Sequence, residues 1–76
     1  MKKIILTKHA KEQMQNRSVS EKDIEHALHN PNIKVPAKGK KRTKVLGNVP
    51  GKSLLKIICR EMKKKFIIIT VCWEGK

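Results

Sequence analysis

Leu54-Leu55-Lys56-Ile57-Ile58-Cys59-Arg60 and Phe66-Ile67-Ile68-Ile69-Thr70-Val71-Cys72-Trp73 decide how this chain folds. Both runs are rich in branched side chains, and Met62 and a run of lysines separate them. Two such runs around a short polar break read as an antiparallel hairpin. Leu55, Ile57 and Cys59 alternate with Lys56, Ile58 and Arg60. On the second strand Ile67, Ile69, Val71 and Trp73 alternate with Phe66, Ile68, Thr70 and Cys72. The all-apolar set is expected against a helical layer. The set that includes Lys56, Arg60 and Thr70 is expected on a partly open face.

Upstream of the hairpin the period changes. Ile4-Ile5-Leu6 reads as a short first strand, and Thr7 as the N-cap of a helix running to about Arg17. Ser20 opens a second helix, with Glu21 and Asp23 in its first turn, where the helix dipole favours acids. Ile24, Ala27 and Leu28 recur at i, i+3 and i+4 and form its buried stripe. Asn30-Pro31 ends it, because the residue before a proline avoids helical angles. Ile33 to Pro36 reads as a weak strand, and its proline suggests a sheet edge. Gly39 is expected to turn the chain into a strand over Arg42 to Leu46, and Gly47 to Gly51 reads as a loop. The expected architecture is α+β: two N-terminal helices on one face of a small antiparallel sheet of about four strands. The 76 residues make one domain, with its helical part at about 7–30 and its sheet at about 33–74.

The charge is lopsided. Nineteen Lys and Arg stand against six Asp and Glu, for a net +13. Residues 1–30 carry six cations and four acids; residues 31–76 carry thirteen and two, a surplus of +11. A surplus of that size on about half of a small domain attracts polyanions. The bland reading is a solubility device or a thermophile-like surface; the latter would raise Glu along with Lys, and Glu is scarce here. The densest basic stretch is Lys38 to Lys44. Its bland reading is a solvated loop and edge strand; its functional reading is a phosphate-tracking edge, without interleaved aromatics for base stacking. Lys40, Lys41, Arg42, Lys44, Lys56 and Arg60 are the candidate nucleic-acid contacts.

Other classes fall away. No apolar run approaches the length of a membrane span, and no amphipathic basic helix suggests a membrane surface. The apolar stretch near the start is three residues, too short for a secretion signal, so a cytoplasmic protein with reduced thiols is expected. Only Cys59 and Cys72 are present, which excludes a disulfide scaffold. No C-x-x-C, H-E-x-x-H or Gly-rich phosphate loop occurs, and no cofactor or metal is expected.

Three residues, His9, Arg17 and Thr70, are candidates for chemistry. His9, Gln13 and Arg17 fall at i, i+4 and i+8 and line one side of the first helix. A histidine can move a proton near neutrality, and an arginine can hold a phosphate through a charged transition state. The bland reading is a solvated polar stripe. Thr70 interrupts an apolar run, and a threonine is also at home in a strand. Cys59 and Cys72 read as structural thiols. His26 and His29 flank buried positions and read as exposed.

Across Leu6-Thr7-Lys8-His9-Ala10, Met14, Arg17-Ser18-Val19-Ser20, Asp23-Ile24, Ala27-Leu28 and Asn30-Pro31, the sequence resembles a small bacterial family catalogued as domain of unknown function 4258. Ile68-Ile69-Thr70-Val71 stands where that family closes on a V-T-V-like strand. The resemblance spans nearly the whole chain, and its helical half is the specific part. It implies kinship with small RelE-type and ParE-type toxins and colicin-type RNases. The implied protein is a metal-independent endoribonuclease with an acidic antitoxin or immunity partner. His9 would then act as acid or base on the ribose 2′-hydroxyl, Arg17 with Arg42 or Lys44 would face the phosphorus charge, and Thr70 would bond a phosphoryl oxygen. Two further hypotheses compete: a non-catalytic module that binds nucleic acid or the ribosome, and a basic protein that docks on an acidic partner. An edge strand at 33–36 or 42–46 could also pair with a second copy.

Overall fold

The computed structural model describes residues 3–37 and 41–74. The elements follow in the order β1 (Lys3–Leu6), α1 (Lys8–Arg17), α2 (Glu21–His29), β2 (Ile33–Pro36), β3 (Thr43–Asn48), β4 (Leu54–Glu61) and β5 (Lys65–Glu74). The sheet has five strands in the order β1-β5-β4-β3-β2. The class is α+β as expected, but the sheet is larger than four strands and is mixed. β1 lies parallel to β5, whereas the other pairings are antiparallel. A hairpin can join only antiparallel neighbours; β1 and β5 are separated by the rest of the fold, so either direction is open to them. β2 stands at the outer edge, where its proline costs no ladder bond.

The helix starts follow from their caps. Thr7 accepts the Ala10 N–H and also donates its hydroxyl to the Ile68 carbonyl at 2.7 Å, tying α1 to β5 at its first turn. Ser20 and Asp23 form a reciprocal capping box on α2. Between the helices Ser18 adopts a left-handed conformation, φ 55°, and the Val19 N–H bonds back to the Met14 carbonyl at 2.9 Å. That sharp reversal buries Val19 and lets both helices lie on the same sheet face.

Ala10, Val19, Ile24, Ala27 and Leu28 pack over Val45, Leu55, Ile57, Cys59, Phe66, Ile68 and Val71. On β4 the buried set is the expected one. On β5 it is not: Phe66 and Ile68 point inward, and only from Val71 and Trp73 does the expected alternation hold. The cause is a bulge. Ile58 pairs with Thr70 but Cys59 pairs with Ile68, so Ile69 is an extra residue that shifts the parity of the strand. Ile67 is consequently on the helix-free side, against expectation, and Ile69 is half-buried.

Gly47 and Asn48 belong to β3 rather than to a loop. Gly47 is buried under α2, and a Cβ there would stand 2.6 Å from the Ala27 Cα. The glycine therefore permits the helix to approach the sheet. The turn expected at Gly39 lies outside the described residues.

Candidate nucleic-acid interface

Four of the candidate residues, Lys44, Lys56, Arg60 and Thr70, converge on the open face of the sheet. Register assigns its rows. Val35, Lys44, Ile58 and Thr70 are successive neighbours across β2, β3, β4 and β5, and Ile33, Leu46, Lys56 and Cys72 form the next row. Arg60 pairs with Ile67, which pairs with Ile5 of β1. Lys44, Lys56, Arg60 and Thr70 thus share one face, within a few strand spacings of Ile58. Cross-strand neighbours stand about 4.5–5.5 Å apart at Cβ. Among the described residues placed on this face, Glu74 at the far end of β5 is the single carboxylate. The face also exposes apolar surface, with Ile33 48% and Val35 39% accessible.

Lys41 and Arg42 are exposed just before β3, and Lys40 lies outside the described residues. Lys41 and Arg42, with Lys34, Thr43, Glu61 and Lys63 among others, line an open concavity of about 660 Å³ at the end of the sheet that carries the β4–β5 turn. The Lys34 ammonium is paired to Glu61 at 2.6 Å.

α1 carries the other candidates along the β5 edge. β1 pairs with β5 only as far as Leu6 opposite Ile68. Beyond it the N–H of Val71 donates to the Gln13 side chain at 3.0 Å, and the Val71 carbonyl accepts from Arg17 Nη1 at 2.8 Å. The Trp73 indole N–H donates in turn to the Arg17 carbonyl at 2.6 Å. Side chains of α1 thus replace the strand that β1 does not supply, and buried or half-buried backbone groups need such partners. Arg17 has a structural task, and its remaining N–H donors stay available. His9 is exposed in the first turn of α1, with Gln13 between it and the Arg17 end of the stripe. Register places Thr70 on the face opposite Val71. His9 and Arg17 therefore sit with the helical layer at the β5 edge, and Thr70 sits with Lys44 and Lys56.

A second concavity, of about 490 Å³, is lined by Arg17, Ser18, Lys52, Ser53 and Trp73. Lys52 Nζ lies 5.8 Å over the centre of the Trp73 ring and is ion-paired to Asp23 at 2.8 Å. Asp23 is buried, which pushes its pKa up. The Lys52 and Ser20 hydrogen bonds and the Lys52 charge outweigh this and hold it below the ordinary value of 3.8. Sequence reading missed Lys52 and Trp73 as partners of Arg17. The available signal was the sole Trp of the chain, and its meeting with a lysine 21 positions away has no spacing rule. Among the described residues no three His, Cys, Asp or Glu side chains cluster as metal ligands would. No helix among them is long and apolar enough to cross a membrane.

Fold and surface define a small, basic α+β protein with two helices on one sheet face and Lys44, Lys56 and Arg60 on the other. The family model described as Domain of unknown function (DUF4258) matches residues 6–73, and the chain belongs to that family. No curated protein and no solved structure matches it.

Proposed function

We propose that this protein binds RNA across the helix-free face of its sheet and cleaves it as a small, toxin-like, metal-independent endoribonuclease of the cytoplasm. One observation carries the binding: Lys44, Lys56 and Arg60 surround Ile58 and Thr70 on a face where Glu74 is the single carboxylate among the described residues. Backbone phosphates satisfy such cations and release counterions when they do. The exposed basic turn at Lys41 and Arg42 extends the track.

Cleavage draws on the RelE-like resemblance and on the exposed His9. The imidazole takes the 2′-hydroxyl proton, the 2′-oxygen attacks phosphorus, and the 5′-oxygen leaves with a proton from the imidazolium or from water. The product is a 2′,3′-cyclic phosphate. Arg17, on the same helix as His9 and through donors not given to Val71, faces the phosphoryl charge. Arg42, Lys44 and Thr70, on the other side of the β5 edge, hold the neighbouring backbone phosphates of the RNA strand rather than the scissile one. An acidic antitoxin or immunity protein would cover the same cations.

End-labelled single-stranded RNA incubated in EDTA, beside His9→Ala, tests this. Cyclic-phosphate products that vanish in the variant are expected. Intact RNA with salt-sensitive binding would replace the enzyme by a binding module for RNA or the ribosome. That second reading is favoured by the engagement of Gln13 and Arg17 on Val71, which gives the stripe a structural purpose. Intact RNA without binding would point to an acidic protein partner.

A further inference from the structure

We infer that the concavity between Arg17, Lys52 and Trp73 takes one nucleotide of single-stranded RNA, its base stacked on the indole and its phosphate on Arg17. The inference rests on the RNA-binding reading above and adds a site on the other side of the β5 edge.

The concavity has the size of a small-ligand site, about 490 Å³. Its composition is that of a stacking site. Trp73 is the only Trp and the chain has no Tyr, so the one large ring available for base stacking besides buried Phe66 lies here. Its orientation is fixed by the indole N–H bond to the Arg17 carbonyl at 2.6 Å. A ring held in this way loses little freedom when a base settles on it. The Arg17 guanidinium is itself held at 2.8 Å from the Val71 carbonyl, a neutral group, so its charge is left for an anion. The hydroxyls of Ser18 and Ser53 line the same concavity and offer hydrogen bonds to ribose or to a base edge.

Lys52 stands where the base would lie, 5.8 Å over the ring centre. It is held there by a cation–π contact and by its ion pair with Asp23, and its side chain is 46% exposed. Solvent reaches the ammonium side of this ion pair and weakens it. An incoming base can displace the ammonium at small cost, and the released lysine then stands beside the phosphate that Arg17 holds. The site therefore recognises a base and a phosphate together. A free phosphate alone would leave the ring uncovered.

The test uses the intact protein and 2′-O-methyl decaadenylate, whose bases stack strongly and which lacks the free 2′-hydroxyl that cleavage needs. Unlabelled oligonucleotide is titrated while the single tryptophan is read by fluorescence, and a 5′-labelled copy reports total binding by anisotropy. Quenching of Trp73 that follows the anisotropy curve is expected. Trp73→Leu, with its fold checked by circular dichroism, is expected to weaken binding about 5- to 150-fold, the range for one stacked base. Binding by anisotropy with unchanged tryptophan emission, and with Trp73→Leu within twofold of the natural protein, would overturn the site and leave the RNA reading standing. Absence of any anisotropy change would overturn both.

Discussion

Arg17 Nη1 bonds the carbonyl of Val71 at 2.8 Å, and Gln13, one turn earlier on the same helix, accepts the N–H of that residue at 3.0 Å. One helix thereby satisfies both backbone groups of a strand residue left without a neighbour where β1 ends. Removing either side chain leaves a partly buried backbone group to water. Gln13→Ala and Arg17→Ala are each expected to cost about 1–2 kcal/mol in urea unfolding. Arg17→Ala with unchanged stability would show that solvent replaces the latch fully. A loss of RNA cleavage in Arg17→Ala must accordingly be read against its stability.

Gly47 and Ala27 are in contact through the face of α2, with no room for a side chain between them. Gly47→Ala is expected to lower stability by about 1–3 kcal/mol, the usual range for overpacking a core. The midpoint of thermal unfolding measures it. A neutral outcome would mean that α2 lifts from the sheet without penalty.

Ser18 carries a left-handed backbone, φ 55°, without being a glycine. Ser18→Gly relieves that conformation and is expected to raise stability by about 0.5–1 kcal/mol, net of the extra freedom of glycine in the unfolded chain. An unfolding curve displaced to lower denaturant would contradict it.

Asp23 has its pKa held below 3.8: burial opposes this, but the Lys52 and Ser20 interactions prevail. A depressed folded pKa means that the unfolded chain binds the proton more readily. The carboxylate's stabilisation is therefore complete above about pH 4 and is lost as pH falls through the folded value. Asp23→Asn is expected to flatten the stability profile below pH 4 and to lower stability at pH 7. Identical acid limbs for the two proteins would sink the assignment.

Much of the fold was legible because local chemistry and tertiary context agreed. Thr7 and Ser20 each had a free backbone amide to cap, and Ile24, Ala27 and Leu28 repeat at helical spacing. The faces of β4 were legible because Lys56 and Arg60 mark the solvent side. Those of β5 were not. Residues 66–69 are all apolar, so nothing in their chemistry marks a bulge at Ile69 or the parity it reverses. The parallel pairing of a four-residue β1 leaves no local trace, and Gly47 looked like a turn because its reason is Ala27, 20 residues away in sequence. For the site, the cations of the open face were legible one by one. Their separation from His9 and Arg17 depended on register, and the company of Lys52 and Trp73 depended on the tertiary fold.

The measurement that bears most directly on RNA binding across the open face is its salt dependence. Binding of a labelled 2′-O-methyl single-stranded RNA, which cleavage through the 2′-hydroxyl cannot consume, is followed from 50 to 300 mM salt for the natural protein, for Lys44→Ala/Lys56→Ala/Arg60→Ala, and for Lys8→Ala/Lys11→Ala/Lys22→Ala, which removes the same charge from the exposed side of the helical layer. For single strands each phosphate contact adds about 0.7 to the slope of log K against log salt. The open-face variant is expected to lose about 2 units of slope and at least about tenfold in affinity at low salt, and the helical-layer variant much less. Equal slopes for the natural protein and the open-face variant would contradict the account.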